Sequence, residues 1–292
     1  MPAAASALSA AYSRLTEAYP GLTVAERGPA DPAPRGGGWV GATALAEGGA
    51  DLDAFLAWDE AQVRRDYGQR ARPDVVASFG LRRYAWPACL LITVPWFLHR
   101  RVPRLPVTHV SYDRGAGRMA VRAASFACLP GDPAAALPGA VVVPDEEALR
   151  ARVRASVAEH LEPVLAAFGP RMRRRGRALW GMATDELVEG LWYVAQLLGE
   201  PERARAVREL ELLLPGATTP YVGSAAFRVL TGPEASVPQA LDSARAGGAP
   251  ILTRDRASCC MFYTVRPQDT CVTCPRTCDA DRISKLTAPA AA

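Results

Sequence analysis

Apolar residues recur at helical spacing along most of this chain. The clearest case is Arg177–Leu198, where they mark one helix face and where Gly199 and Pro201 follow as a stop signal. Asp51 is placed to cap another helix, and Pro163 predicts a kink or break inside a third. The period predicts helices over residues 5–19, 51–67, 75–100, 145–168, 177–198, 202–214 and 234–246.

The most apolar run is Tyr84–Leu98, which contains Pro87 and Pro95. Its 15 residues fall short of the roughly 20 that a helix needs to span a bilayer. We therefore predict a buried helix that is interrupted at its prolines. Peripheral contact with a membrane is the alternative.

The middle of the chain changes to a strand pattern. Residues 107–112 and 118–128 flank the turn-forming segment Asp113–Gly117, which predicts a β-hairpin. Gly139–Val143 is a further predicted strand. The fold class expected is therefore α+β: mainly helical, with a small antiparallel β-sheet in the middle and a cysteine-rich module at the C-terminus.

Composition narrows the picture only slightly. With 292 residues, 49% of them apolar, the chain can bury a substantial core, and a net charge of +4 does not by itself imply nucleic acid. Residues 1–15 lack the basic start and apolar stretch of a signal peptide, so we expect a cytoplasmic protein. Gly36, Gly38 and Gly41 match G-x-G-x-x-G, but a proline-rich loop precedes them where a dinucleotide site needs a strand. We predict a flexible loop there.

Five of the seven cysteines fall within residues 259–278. Cys259 and Cys260 are adjacent, ten residues separate them from Cys271, and Cys274 completes a C-x2-C turn. This C-C-x10-C-x2-C pattern is typical of a four-thiolate metal site, with Cys278 left over.

Three kinds of site compete for these thiols. A disulfide pair is disfavoured, because the cysteine count is odd and no secretory signal is present. A structural zinc site usually takes two C-x2-4-C turns, whereas one pair here is adjacent and its side chains point apart. A 2Fe–2S cluster has two irons on a larger frame, which an adjacent pair can bind without folding back. The pattern favours the 2Fe–2S cluster, with zinc as the alternative.

The same stretch resembles a known family. From Arg256 the chain reads Arg-x-Ser-Cys-Cys-x-x-Tyr, and from Cys271 it reads Cys-x-x-Cys-Pro. This combination resembles the C-terminal signature of FhuF-type ferric-siderophore reductases. A weaker similarity to actinobacterial members extends the resemblance over most of residues 36–276. The segments that carry it are 38–40, 83–87 and 177–181.

The resemblance implies a cofactor, its ligands and a fold. It implies a 2Fe–2S cluster bound by Cys259, Cys260, Cys271 and Cys274. It also implies a helical fold shared with the C-terminal part of siderophore synthetases. The chain departs from the signature at Ala257, where members often carry a second arginine, and at Cys278, which the signature lacks.

These considerations divide the chain into three parts. We predict a siderophore-binding α+β region over residues 1–250 and a 2Fe–2S cluster-binding module over residues 251–282, called the cysteine module below. Residues 283–292 are small and predicted to form a disordered tail.

Arginines and one tryptophan are candidates for contact with a substrate or an electron donor. An arginine run precedes the helix at 177–198; its ordinary interpretation is a solvated face, and the alternatives are an acidic donor, an anionic substrate or DNA phosphates. Positive charge just before the cysteines, at Arg254 and Arg256, is expected to stabilise a reduced cluster and raise its potential. Contact with substrate or donor is predicted for Arg173, Arg174, Arg175, Trp180 and Arg256.

The function predicted from this resemblance is the reduction of a ferric siderophore, of the hydroxamate type, by one electron from the cluster. The resemblance implies a ferredoxin or ferredoxin-reductase system as donor, since no flavin or nicotinamide fingerprint is apparent. Two alternatives remain: an iron–sulfur sensor that binds DNA through the arginine-flanked helix, and a zinc-stabilised binding module.

Overall fold

The structure is a computed structural model that describes residues 6–28, 30–230 and 251–287. It confirms the α+β class, mainly helical with small sheet elements and with the cysteines clustered near the C-terminus. The predicted helix at 234–246 lies outside the described residues. The helices are α1 (Ser9–Ala18), α2 (Ala42–Glu47), α3 (Gly49–Tyr67), α4 (Pro73–His99), α5 (Glu146–Met172), α6 (Gly176–Leu198), α7 (Glu200–Leu213) and α8 (Asp279–Thr287).

The strands form three small sheets. The first has the order β1-β5-β4-β2, the second β3-β6-β7, and the third pairs β8 with β9. The strands are β1 (Thr23–Glu26), β2 (Trp39–Gly41), β3 (Val102–Pro103), β4 (Val110–Asp113), β5 (Arg118–Val121), β6 (Phe126–Cys128), β7 (Ala140–Val142), β8 (Phe227–Leu230) and β9 (Ile251–Arg254).

Helix α4 is the centre of the core and packs against α1, α3, α5 and α6. It is apolar over most of its surface and buried along most of its length, apart from Arg82 and Arg83, which stay partly exposed. It runs through Pro87 and Pro95, so the predicted interruption is wrong. Pro95 cannot donate to the carbonyl of Leu91, and the hydroxyl of Tyr12 donates to that carbonyl instead, at 3.0 Å. Tertiary packing thus preserves a helix that local propensity would end. Helix α5 also passes through Pro163 without a break.

Helix α6 confirms the predicted helix at 177–198 and ends at Gly199, whose φ is 121°. It packs against α4 and α7. Its buried residues include Thr184, Asp185 and Glu186 among the apolar ones. Buried charges need partners, so the rest of the molecule must supply counter-charges at this point of α6.

The predicted hairpin is present as β4 and β5, which pair antiparallel with Val110 opposite Val121. Strand β2 joins it antiparallel and β1 joins it parallel, so this sheet is mixed. The prediction of one strand over 118–128 is wrong beyond Val121, because β6 leaves to pair with β3 and β7 in the second sheet. The strand predicted at 139–143 is confirmed as β7.

Two further predictions need correction. Helix α3 begins at Gly49 after an N-cap at Gly48, so Asp51 lies in the first turn and does not cap the helix. Residues 283–287 belong to α8 and are not disordered: Ile283 is buried, and Lys285 donates to the backbone and side chain of Thr270. These contacts hold a segment whose composition alone gives no reason to fold.

The glycine motif and the apolar helices bear on two kinds of site considered above, a dinucleotide site and a membrane span. Gly36 and Gly38 have positive φ and lead into β2, whereas a dinucleotide site places its glycines after a strand. Within residues 6–28, 30–230 and 251–287, no helix is long and apolar enough to cross a membrane.

Candidate functional site

The cysteine module begins with β9 and continues as two cysteine-bearing turns that lie against α6 and α4. All seven cysteines of the chain are free thiols. Cys260 and Cys274 are buried, Cys259 and Cys271 are half-buried, and Cys278 is exposed. The exposure of Cys278 agrees with its exclusion from the predicted ligand set.

The thiols contact each other across the two turns. A side-chain hydrogen bond with Cys271 lowers the pKa of the Cys260 thiol, and the same contact raises the pKa of Cys271. Burial raises the pKa of Cys259, and the neighbouring Cys260 and Cys274 raise it further. The fold therefore brings the adjacent pair and the C-x2-C turn together before any metal is considered.

Backbone amides point at the sulfur atoms. The N–H of Met261 donates to Sγ of Cys259 and the N–H of Arg276 donates to Sγ of Cys274, each at 3.4 Å. Such bonds stabilise negative charge on thiolate sulfur, as iron–sulfur ligands require. Among the residues that the structure describes, no three His, Cys, Asp or Glu side chains converge closely enough for one metal ion.

Asp185 of α6 holds the loop that precedes the cysteines. Its carboxylate is fully buried and accepts hydrogen bonds from the N–H of Ala257 at 2.8 Å and from Arg254 Nη2 at 2.9 Å. It also accepts from the N–H and the hydroxyl of Ser258, both at 2.9 Å. Gly181, one helical turn earlier, permits this approach, since a Cβ there would lie 3.3 Å from the Cβ of Ser258.

Glu189, one turn later on α6, holds the second cysteine turn. Its Oε1 accepts from the hydroxyl of Thr273, which lies between Cys271 and Cys274, at 2.7 Å. Burial opposes the charge of Glu189, but Arg256 and Arg254 outweigh that effect and its pKa lies below the usual range. Two carboxylates on one helix face therefore fix both halves of the cysteine signature.

Arg254 and Arg256 are buried in the same network. Arg254 pairs with Asp185 and Glu189, and Arg256 pairs with Glu186 at 2.8 Å and Glu189 at 2.6 Å. Burial raises the pKa of Glu186. Three carboxylates of α6 pair with these arginines, yet the charge of Arg256 is still among the causes that favour the thiolates of Cys260 and Cys271. The expected effect on the cluster potential stays a prediction. Arg256 cannot reach a substrate or donor, since its side chain is 0% exposed.

The arginine run divides into different roles. Arg174 Nη1 donates to the backbone oxygen of Cys259 at 2.9 Å, so it holds the cysteine loop at a second point, beside the contacts of Asp185. Arg173 ends α5 with a φ of 53°, and both it and Arg175 are exposed. Their predicted contact with a partner stays a prediction. Trp180 is half-buried and meets the ring of Tyr221 edge-on at 5.5 Å.

A pocket of about 730 Å³ opens beside the cysteine module. Helices α3, α4 and α6 and the segment that follows α1 contribute to its wall, and Phe262 of the module closes one side. None of the five residues predicted to contact substrate or donor lines it. Charged residues of the wall are Arg82, Arg83, Arg114, Glu186 and Glu189, and its aromatic residues include Tyr19, Trp58, Tyr67, Trp86, Tyr193 and Phe262.

Comparison with known proteins agrees with this geometry. The model of the FhuF 2Fe-2S C-terminal domain matches residues 256–276. None of the curated proteins matches the chain. The matched span contains four cysteines and ends before Cys278. The resemblance to the FhuF-type family is thereby confirmed over this span, and the cofactor is a 2Fe–2S cluster.

Proposed function

We propose that this chain, which carries the C-terminal domain of the FhuF-type iron–sulfur family, is a ferric-siderophore reductase. The observation that supports this most directly is the match over residues 256–276. We assign Cys259, Cys260, Cys271 and Cys274 as the cluster ligands. Their contacts across the two turns and the amides aimed at sulfur support the assignment.

The chemistry required is small. Hydroxamate-type siderophores offer hard oxygen donors that match Fe(III) and hold Fe(II) far more loosely. Release therefore needs one electron and no cleavage of the chelator. When bound, the 2Fe–2S cluster supplies one electron, so the ferric ion becomes ferrous as the reduced cluster is oxidised.

The chain's own residues hold the thiols in fixed positions. Asp185 anchors the loop before the adjacent cysteines, and Glu189 anchors the C-x2-C turn. Arg174 binds the backbone oxygen of Cys259. All three belong to, or directly precede, one helix. A rigid support of this kind limits movement of the ligands when the charge of the site changes.

We further propose a cytoplasmic protein that receives its electron from a ferredoxin system. The sequence offers no flavin or nicotinamide fingerprint in a suitable context, so the electron must come from another protein. Arg173 and Arg175 are exposed beside the cysteine loop and remain the predicted contacts for an acidic donor.

The experiment uses protein purified without air. Reduced protein is mixed with a ferric trihydroxamate and a ferrous trap; about one ferrous ion per cluster should appear, since this centre gives up one electron. Serine at any one of Cys259, Cys260, Cys271 or Cys274 should abolish the reaction and the colour, whereas Cys278→Ala should keep both. Colourless protein with stoichiometric zinc, or duplex-DNA binding with a steep salt dependence and no ferrous product, would contradict the proposal.

A further inference from the structure

We infer that the pocket beside the cysteine module is the binding site of the ferric chelate and that it prefers neutral or anionic chelates to cationic ones. This inference rests on the proposed function, since it names the substrate class of that site. It is carried by the position of the pocket, its aromatic wall and the placement of its charges.

The pocket and the cluster ligands share a wall. Phe262 lines the pocket and follows Cys260 by two residues, and its backbone N–H hydrogen-bonds to the Cys260 thiol. Its ring packs against Phe79 and Tyr67, with centroids 6.3 and 5.7 Å away. The hydroxyl of Ser78, on α4, donates to the backbone carbonyl of Cys260 at 3.2 Å. A chelate in the pocket would thus be separated from the Cys260 thiol by the residue Phe262.

The size and the aromatic wall suit a bulky organic chelate. A volume of about 730 Å³ lies within the range of roughly 300–1,000 Å³ typical of small-molecule sites. Tyr19, Trp86 and Tyr193 meet edge to face with centroids 5.3 to 6.0 Å apart. Tyr193 and Trp58 keep much of their surface exposed to the cavity mouth. Large exposed rings grouped around one cavity indicate a ligand.

The charged groups of the site differ in exposure. Arg82 and Arg83 have 38% and 35% of their side chains exposed, whereas the carboxylates that also line the pocket, Glu186 and Glu189, have 1% and 13%. Asp59, fully buried, binds Arg83 and also Arg114, whose guanidinium stacks on the Trp58 ring at 4.1 Å. The two most exposed charged groups of the wall are therefore guanidinium groups, while the carboxylates that compensate them are largely buried. Such a surface attracts negative charge and repels a chelate that carries an ammonium group.

Binding is measured on oxidised holoprotein, so that no reduction takes place. Equilibrium dialysis compares three ferric complexes: a trianionic tris-catecholate, a neutral trihydroxamate, and a trihydroxamate with a free ammonium group. The cationic complex should bind weakest, by about two- to fivefold relative to the neutral one, as one exposed charge contact implies. Tightest binding of the cationic complex would overturn the charge preference.

Variants locate the site. Tyr193→Ala should weaken binding of the neutral chelate roughly three- to tenfold, as the loss of one aromatic contact implies. Leu197→Ala is its control, one turn later on α6, equally exposed (43% against 44%) and outside the pocket. Arg83→Gln should weaken the trianionic chelate more than the neutral one, and Arg14→Gln, at an exposed surface pair, should change neither.

The outcomes separate this inference from the function on which it rests. If the pocket variants weaken chelate binding but the reduced wild-type protein yields no ferrous ion, the binding site is supported and the reductase function is refuted. If Tyr193→Ala and Arg83→Gln reduce iron at the wild-type rate and bind the chelate with unchanged affinity, the pocket is not the binding site, while the reductase function is supported. Stoichiometric flavin mononucleotide binding that excludes the chelate would also refute the binding site.

Discussion

Replacing Asp185 by Asn should detach the cysteine loop from α6. The change keeps the shape of the side chain and removes its charge. The Asp185 carboxylate is the acceptor in all four of its hydrogen bonds, which come from two backbone amides, one hydroxyl and one guanidinium. An Asn amide can present its oxygen to only half of them and turns an NH₂ group toward the others. Arg254 and Arg256 lose one of their counter-charges as well.

The magnitude follows from these contacts. Hydrogen bonds to a charged group contribute about 1.5–3 kcal/mol each, so the loss of two costs about 3–6 kcal/mol. An independent route, the removal of one partner from a buried ion pair, gives about 3–5 kcal/mol. Both are a large share of the roughly 5–15 kcal/mol that stabilises a whole domain.

Denaturant unfolding of anaerobic holoprotein tests this value, followed by far-UV circular dichroism and by the visible absorbance of the cluster. The variant should show an earlier midpoint, and its iron should leave before its helices unfold. Asp53→Asn is the control: it removes a surface pair with Arg171, worth about 0–1 kcal/mol. If Asp185→Asn matches Asp53→Asn in both midpoint and iron content, the anchoring role of this carboxylate is refuted.

Three further predictions concern the cysteines, the arginine run and pH. Cys278→Ala should purify with full iron content and Cys274→Ala without it; the reverse result would show that the ligand set is wrong by one residue. Arg174→Gln should speed iron loss to a chelator about tenfold, as the loss of one charged hydrogen bond implies, whereas Arg175→Gln should leave the rate unchanged; equal rates would argue against the contact. Burial lowers the pKa of His160 to about 4, against about 6.5 when exposed. The unfolded chain therefore takes up a proton first, and stability should be full above pH 6.5 and fall by up to about 3 kcal/mol as pH drops toward 4. Denaturation midpoints across this window should depend less on pH in His160→Gln, and an identical pH dependence would contradict the burial argument.

The features that the sequence predicts well are those that depend on residues close to each other in the chain. The spacing of Cys259, Cys260, Cys271 and Cys274 encodes the metal chemistry locally, and the matched family span coincides with it. The period of α6 and the turn of the β4–β5 hairpin are equally local, and both appear with nearly the expected bounds.

The features that it misses depend on distant partners. On a helical wheel, Asp185 and Glu189 look like ordinary solvent-facing residues of an amphipathic helix. Asp185 is fully buried and Glu189 largely so, because their arginines come from about 70 residues later in the chain. Two arginines directly before the cysteine pair are the one signal that could have suggested acidic partners elsewhere. The pocket could not be foreseen, since rings such as Tyr19, Trp86 and Tyr193 meet only in the folded chain.

The support that α6 gives to the cysteine turns makes cluster binding depend on a helix that carries none of the four proposed ligands. Without α6, Arg254 and Arg256 would lack their buried acidic partners and the amides of the cysteine loop would lack their acceptor. A defect in α6 that leaves every cysteine in place would therefore appear to the cell as a failure of cluster maturation.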